Sequence, residues 1–444
     1  MGSILIKGGK VVNRGTIRVQ DILVRNGRIE RMADAIDVIA DQELNAEGLH
    51  VFPGLIDDQV HFREPGKTYK ADIFSESRAA VAGGVTSFME MPNTDPPALT
   101  QELLEDKYRI AAKNSLANYS FFMGASNDNL SEVLRTDIRN VCGIKVFMGS
   151  STGNMLVDSE KTLEGIFSQA PMLIATHCED EATIRDCFAQ YHKLYGDDIP
   201  AEFHPLIRPV EGCYKSSHFA VELAKRYNSR LHVLHITTAE ELALFDAHIP
   251  LEQKRITAEV CVHHLFFSAD DYAAQGHKIK CNPAIKERRH RDALWEGLKN
   301  GHLDIIATDH APHTLAEKQQ AYTQAPSGLP LVQHALNVLL DFYHQGKITL
   351  EEIAHKAAHA PAICFEVDKR GFVEEGYWAD IVLVDLEESW QVQKENILYK
   401  CGWSPFEGHT FKGKIKSTIV SGHLAWHEGR FNESSTGKRL LFNR

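Results

Sequence analysis

Between residues 51 and 313 the chain repeats one pattern: a short apolar run ending on polar residues, then a helical stretch or a long loop. The apolar runs are VFPGLIDDQVHF, VTSFMEMPNT, YSFFMGAS, GIKVFMGS, PMLIATHCE, LHVLHIT, ITAEVCVHHL and LDIIATDHAPH. Helix-like segments such as DIFSESRAAVAGG, LTQELLEDKYRIAAKN, SSHFAVELAKRYN and RRHRDALWEGLKNG lie between them. Runs apolar throughout, rather than alternating, suit strands buried on both faces, and parallel strands require crossover connections. Eight such units predict an α/β fold built on a (β/α)8 TIM-like barrel over about residues 53–369.

The two ends of the chain have a different texture. Residues 1–52 read as short strands broken by turns, with Asn26-Gly27 a hairpin signal, and strand-rich patterns return over 370–444. One small β-sandwich assembled from both ends accounts for this. Acidic residues outnumber basic ones for a net charge of −12, without blocks, which disfavours nucleic acid and anionic membranes as partners. Eight scattered cysteines without a C-x-x-C pair fit a reducing compartment, and no signal or membrane segment is evident. A cytoplasmic location is the expectation.

In such a barrel the chemistry sits at the C-terminal ends of the strands. Those ends carry His61 and Arg63, Asn93, Lys145, His177, His235, Glu259 with His263 and His264, and Asp309 with His313. Their concentration there points to a metal site, although a lone His177 or His235 is also compatible with a hydrogen-bonded core histidine. His232 reads as incidental, and adjacent strand residues His263 and His264 cannot both face inward. His355 and His359 stand one turn apart on a helix-like stretch but lack the glutamate of a zinc-protease pair.

Lys145 is expected to point inward among apolar residues, which is costly unless it is paired or chemically changed. Either a salt bridge or reaction with carbon dioxide to a carbamate answers that cost, and the surrounding ligand types favour the carbamate. A bridged metal pair lowers the pKa of a bound water; Asp309 could accept its proton and pass it to a leaving nitrogen. Arg63 and Asn93 suit a substrate carboxylate, and His313 adds a donor.

These motifs resemble the amidohydrolase superfamily and, within it, the class I dihydroorotases. HFREPG (His61 to Gly66), MPNT (Met91 to Thr94), DHAPHT (Asp309 to Thr314) and CNPAIKERRHRDAL carry the likeness, which covers nearly the whole chain. The resemblance implies a metal-dependent hydrolase barrel catalysing reversible cyclisation of N-carbamoyl-L-aspartate to L-dihydroorotate in pyrimidine biosynthesis. It also implies zinc, one or two per chain, held by His61, His177, His235 and Asp309 and bridged by carbamylated Lys145. Asp309 is then the catalytic acid/base. His61, Arg63, Asn93, Asn282, His313, Ser327 and Gly328 are expected to bind the small-molecule substrate, with a homodimer as one allowed assembly.

Gln59 departs from the family's D-x-H-x-H stretch, and an amide carbonyl is a weaker zinc donor than imidazole. A weakly held first metal, a hydantoinase or allantoinase, and a non-catalytic dihydroorotase-like partner protein are the alternatives this substitution leaves open.

Overall fold

The computed structural model describes residues 2–149 and 154–444. The eight predicted runs form parallel strands at Leu55–Val60, Val85–Glu90, Asn118–Phe121, Ile144–Phe147, Ile174–His177, Leu231–Val233, Ile256–Cys261 and Ile305–Ala307. The third run is interrupted at Phe122 and resumes at Met123–Gly124, which pairs with the fourth strand. The ladder is also incomplete between the last strand and the first. There the chain closes through one parallel bridge, Val60 to His310, and the His61 amide donates to the His310 carbonyl at 2.7 Å. The Asp57 carboxylate accepts from the Thr308 amide and hydroxyl at 3.2 and 2.5 Å, replacing backbone pairing. A side chain thus completes the barrel seam where the site lies.

Crossover helices begin where the sequence offers caps. Asp72 accepts from the Ser75 amide ahead of helix Ile73–Ala82, and Thr100 from the Leu103 amide ahead of Gln101–Asn114. Strand Ile256–Cys261 ends earlier than ITAEVCVHHL suggests: residues Val262–Phe266 are a short helix. The alternation argument therefore fails for His263 and His264, which are both buried.

Strands from both chain ends hydrogen-bond into one nine-stranded sheet. The joining pair is His50–Pro53, running antiparallel to Ile381–Gln391. Asn26 and Gly27, with φ of 52° and 83°, form the hairpin turn between Thr16–Arg25 and Arg28–Ala33. Residues beyond 436 leave this sheet and return to the barrel: the Tyr119 amide donates to the Lys438 carbonyl, and the Leu440 amide to the Tyr119 carbonyl. No helix among the described residues is long and apolar enough to cross a membrane.

Candidate active site

The C-terminal strand ends open into a cavity of about 270 Å³ lined by Gln59, His61, Arg63, Asn93, Lys145, His177, His235, Asn282, Asp309, His313, Ser327 and Gly328. The residues expected to hold metal or substrate are thus brought to the walls of a single pocket, whereas Glu259, His263 and His264, also at strand ends by sequence, do not line it. Lys67, Lys70, Phe147 and Pro326 complete it. Three of its residues hold left-handed backbone, Arg63 at φ 67°, His235 at 39° and Asp309 at 49°. Such conformations are costly for non-glycine residues and persist where the surroundings impose them, commonly at functional sites.

Hydrogen bonds fix the tautomers of the imidazoles. His177 Nε2 lies 2.9 Å from a Glu179 carboxylate oxygen, so the N–H donates there and Nδ1 is left as a lone pair. That Nδ1 faces His235 Nε2 at 2.9 Å, and His235 Nδ1 is buried without a partner. His61 Nδ1–H donates to Asn93 Oδ1 at 2.8 Å, which turns the Nε2 lone pair toward Asp309 Oδ1 at 3.0 Å. Burial holds His61 and His177 below the ordinary histidine pKa, and His235 well below it. Neutral nitrogens aimed at one another and at a carboxylate form a donor set that a cation would satisfy.

Lys145 is buried, with Nζ 4.5 Å from the Phe147 ring centroid, and among the described residues it has no carboxylate partner. The salt-bridge alternative therefore falls away. Burial, against the weaker pull of Asp309 and Glu259, lowers its pKa from 10.5 to about 7. An amine with a substantial neutral fraction near pH 7 is nucleophilic enough to take up carbon dioxide.

Gln59 faces the cavity, and its Oε1 lies 3.8 Å from Cys261 Sγ. Glu259 does not line the cavity. It sits behind His235, accepting from the His235 amide at 3.1 Å through Oε1, while Oε2 lies 3.1 Å from His232 Nε2. Asp58 is 3.3 Å from the same nitrogen, so His232, incidental by sequence, is the centre of a fully buried acidic pair. His359 bonds Asn13 Oδ1 at 3.0 Å and stacks on Phe372, away from the pocket.

The Arg63 side of the cavity is cationic. Arg63 Nε donates to the Pro312 carbonyl at 3.2 Å and its terminal nitrogen approaches His313 Nε2 at 3.1 Å. Lys70 Nζ bonds His313 Nδ1 at 2.9 Å and Glu317 at 2.9 Å. Among the described residues no carboxylate pairs with Arg63, so its charge faces the pocket unneutralised. Sequence reasoning gave no role to Lys70, Glu179 or the two lysines beneath the Ser327-Gly328 loop. Lys318 Nζ donates to the carbonyls of Lys280, Pro326 and Gly328 at 3.0, 2.8 and 3.0 Å. Lys280 Nζ donates to those of Tyr322 and Ala325, each at 2.6 Å. The only available signals were the acid two residues after His177 and the Glu317-Lys318 pair.

Comparison with known proteins gives the family. The model of the amidohydrolase family matches residues 50–425. A dihydroorotase of Halobacterium salinarum is 33% identical over 92% of this chain and 94% of its own. An allantoinase of Solibacter usitatus is 31% identical over 99% and 97%. The structure of an L-hydantoinase (dihydropyrimidinase) from Arthrobacter aurescens superposes with a TM-score of 0.94 at 25% identity, covering 99% and 100%. With its barrel, its end-to-end β-domain and this cavity, the chain belongs to the amidohydrolase family, as a cyclic amide hydrolase.

Proposed function

We propose that the protein is a zinc-dependent dihydroorotase, interconverting L-dihydroorotate and N-carbamoyl-L-aspartate in pyrimidine biosynthesis. The observation that carries this choice is the unneutralised Arg63 guanidinium in the cavity, beside Lys70 and His313. Dihydroorotate bears a ring carboxylate; the rings of hydantoin and allantoin do not. A fixed guanidinium prepared for a carboxylate has no counterpart to bind in those molecules.

His61, His177, His235 and Asp309 would hold the zinc, with Lys145 bridging as its carbamate. Formation of that carbamate joins the neutral amine to carbon dioxide and releases one proton. The metal would supply polarisation of the ring amide carbonyl and acidify water to near neutrality. Asp309 takes a proton from the attacking water and returns it to the ring nitrogen as the C–N bond breaks. In the reverse direction the same carboxylate removes the amide proton and water leaves. Arg63 pairs with the substrate carboxylate, Asn93 and Asn282 offer amides to the ring, and the Ser327-Gly328 backbone lies against it. Glu179 keeps His177 in one tautomer, and the Glu259 contact holds the strained His235 backbone.

The decisive assay supplies purified protein with zinc and bicarbonate and follows dihydroorotate opening, with hydantoin and allantoin in parallel. Turnover of dihydroorotate above both supports the reading. Turnover of either competitor with dihydroorotate inert overturns it.

A further inference from the structure

A second group of soft donors lies outside the ligand set assigned above, where the seventh barrel strand turns into helix Val262–Phe266. One donor atom each from Cys261, His263 and His264 lies within 4.8 Å of the other two. All three residues are buried, at 0%, 0% and 3% exposure. The imidazole centroids are 4.0 Å apart.

Beyond a weak contact of His263 to the Thr308 backbone and one of His264 Nε2 to Cys281 Sγ at 3.8 Å, the polar atoms of this group have few partners. Both nitrogens of His263, and Nδ1 of His264, are buried without a hydrogen-bond partner. His264 Nε2 lies 3.2 Å from the Pro283 carbonyl. Its N–H therefore donates to that backbone oxygen, and Nδ1 is fixed as a bare lone pair, the usual outer partner of a metal-bound histidine. The Cys261 thiol meets only long contacts, 3.8 Å to Gln59 Oε1 and 3.9 Å to Glu259 Oε1. Two buried imidazoles, tilted 41° to one another, would leave these groups unsatisfied at a cost that a bound cation removes.

We propose that Cys261, His263 and His264 form a metal site for a thiophilic d10 cation, Zn2+ or Cu+, beside the catalytic cavity. A thiolate with two imidazoles selects such ions over Mg2+ or Ca2+. Around tetrahedral zinc, thiolate and imidazole donors stand roughly 3.3–3.5 Å apart, so the group needs only a small side-chain contraction. Gln59 Oε1, beside the thiol, is placed to be the fourth donor, and because Gln59 also lines the cavity it marks the entry path. The glutamine that replaces the family's histidine thereby gains a role of its own.

The test is titration of metal-free protein with Co2+, a spectroscopic stand-in for zinc, with binding counted by equilibrium dialysis. The cavity ligands contain no sulfur, so a thiolate-to-cobalt charge-transfer band reports this site alone, whatever the substrate of the enzyme. Wild type and Cys281→Ser should show the band; Cys261→Ser should lose it together with one equivalent of bound metal. Absence of the band in wild type, or its persistence in Cys261→Ser, overturns the site. Should Cys261→Ser fail to fold by circular dichroism, zinc-edge X-ray absorption of zinc-loaded wild type and Cys281→Ser replaces it. A sulfur scatterer in both supports the site, and a shell of nitrogen and oxygen alone in either refutes it.

Discussion

Lys318→Met isolates the work done by one buried ammonium. In the native chain its three N–H groups reach the carbonyls of Lys280, Pro326 and Gly328. Methionine keeps the length and loses all three donors. Three buried carbonyls left without partners cost about 3–9 kcal/mol together, and relief from burying a charge returns several of these. A net loss of about 2–4 kcal/mol of folding stability follows. The loss is local, because two of the carbonyls flank Ser327 and help hold Gly328 at φ 140°, where an added Cβ would meet the Ala311 carbonyl oxygen at 2.4 Å. The substrate-facing backbone should loosen, raising KM about tenfold or more while kcat falls less. Urea denaturation and steady-state kinetics on the same preparation give both quantities. Stability within about 0.5 kcal/mol of wild type, with unchanged KM, would refute the claim that this lysine builds the loop.

Arg63→Met should raise KM for dihydroorotate about 10- to 150-fold, the cost of about 1.5–3 kcal/mol for a charge-assisted pair; equal losses on a ring without a carboxylate would contradict the assignment. Lys145→Ala should abolish turnover, and short carboxylic acids should restore part of it in a concentration-dependent way. Full activity without them would exclude the bridge. Although burial works against it, Glu317 is lowered from 4.5 to about 2 by Lys70, the Thr314 amide and Tyr69. Its folded-state pKa lies below its unfolded one, so its contribution is complete above pH 4.5 and is lost as pH falls toward 2. Thermal melts of Glu317→Gln should show a shallower decline across that window, and identical slopes would count against the ion pair.

The strand ends were legible because a parallel barrel imposes a strong period and gathers its chemistry at one face. His61, Lys145, His177, His235 and Asp309 could be read from position alone. What escaped are contacts to backbone: Lys318 and Lys280 bind carbonyls, which carry no sequence signature. His263 and His264 misled for a related reason, since a strand running into a one-turn helix keeps its apolar look while losing its period of two. Glu259 and His232 were separable only once neighbouring strands were in register, with Val233 opposite Ala258.

The return of the Lys438–Leu440 backbone to Tyr119, on the third barrel strand, also bears on how the protein is made. The strand at Asn118–Phe121 leaves the ribosome some three hundred residues before its edge partner does. His313 precedes its partner by less: its carbonyl awaits the indole N–H of Trp403, 90 residues later, at 2.7 Å. At about 5–20 residues per second, tens of seconds of synthesis separate the barrel strand from the tail that covers it. A nascent chain of this protein therefore carries an open barrel edge for most of its synthesis, and a ribosome-tethered chain stopped before Lys438 should be far more open to protease near Tyr119 than the released protein.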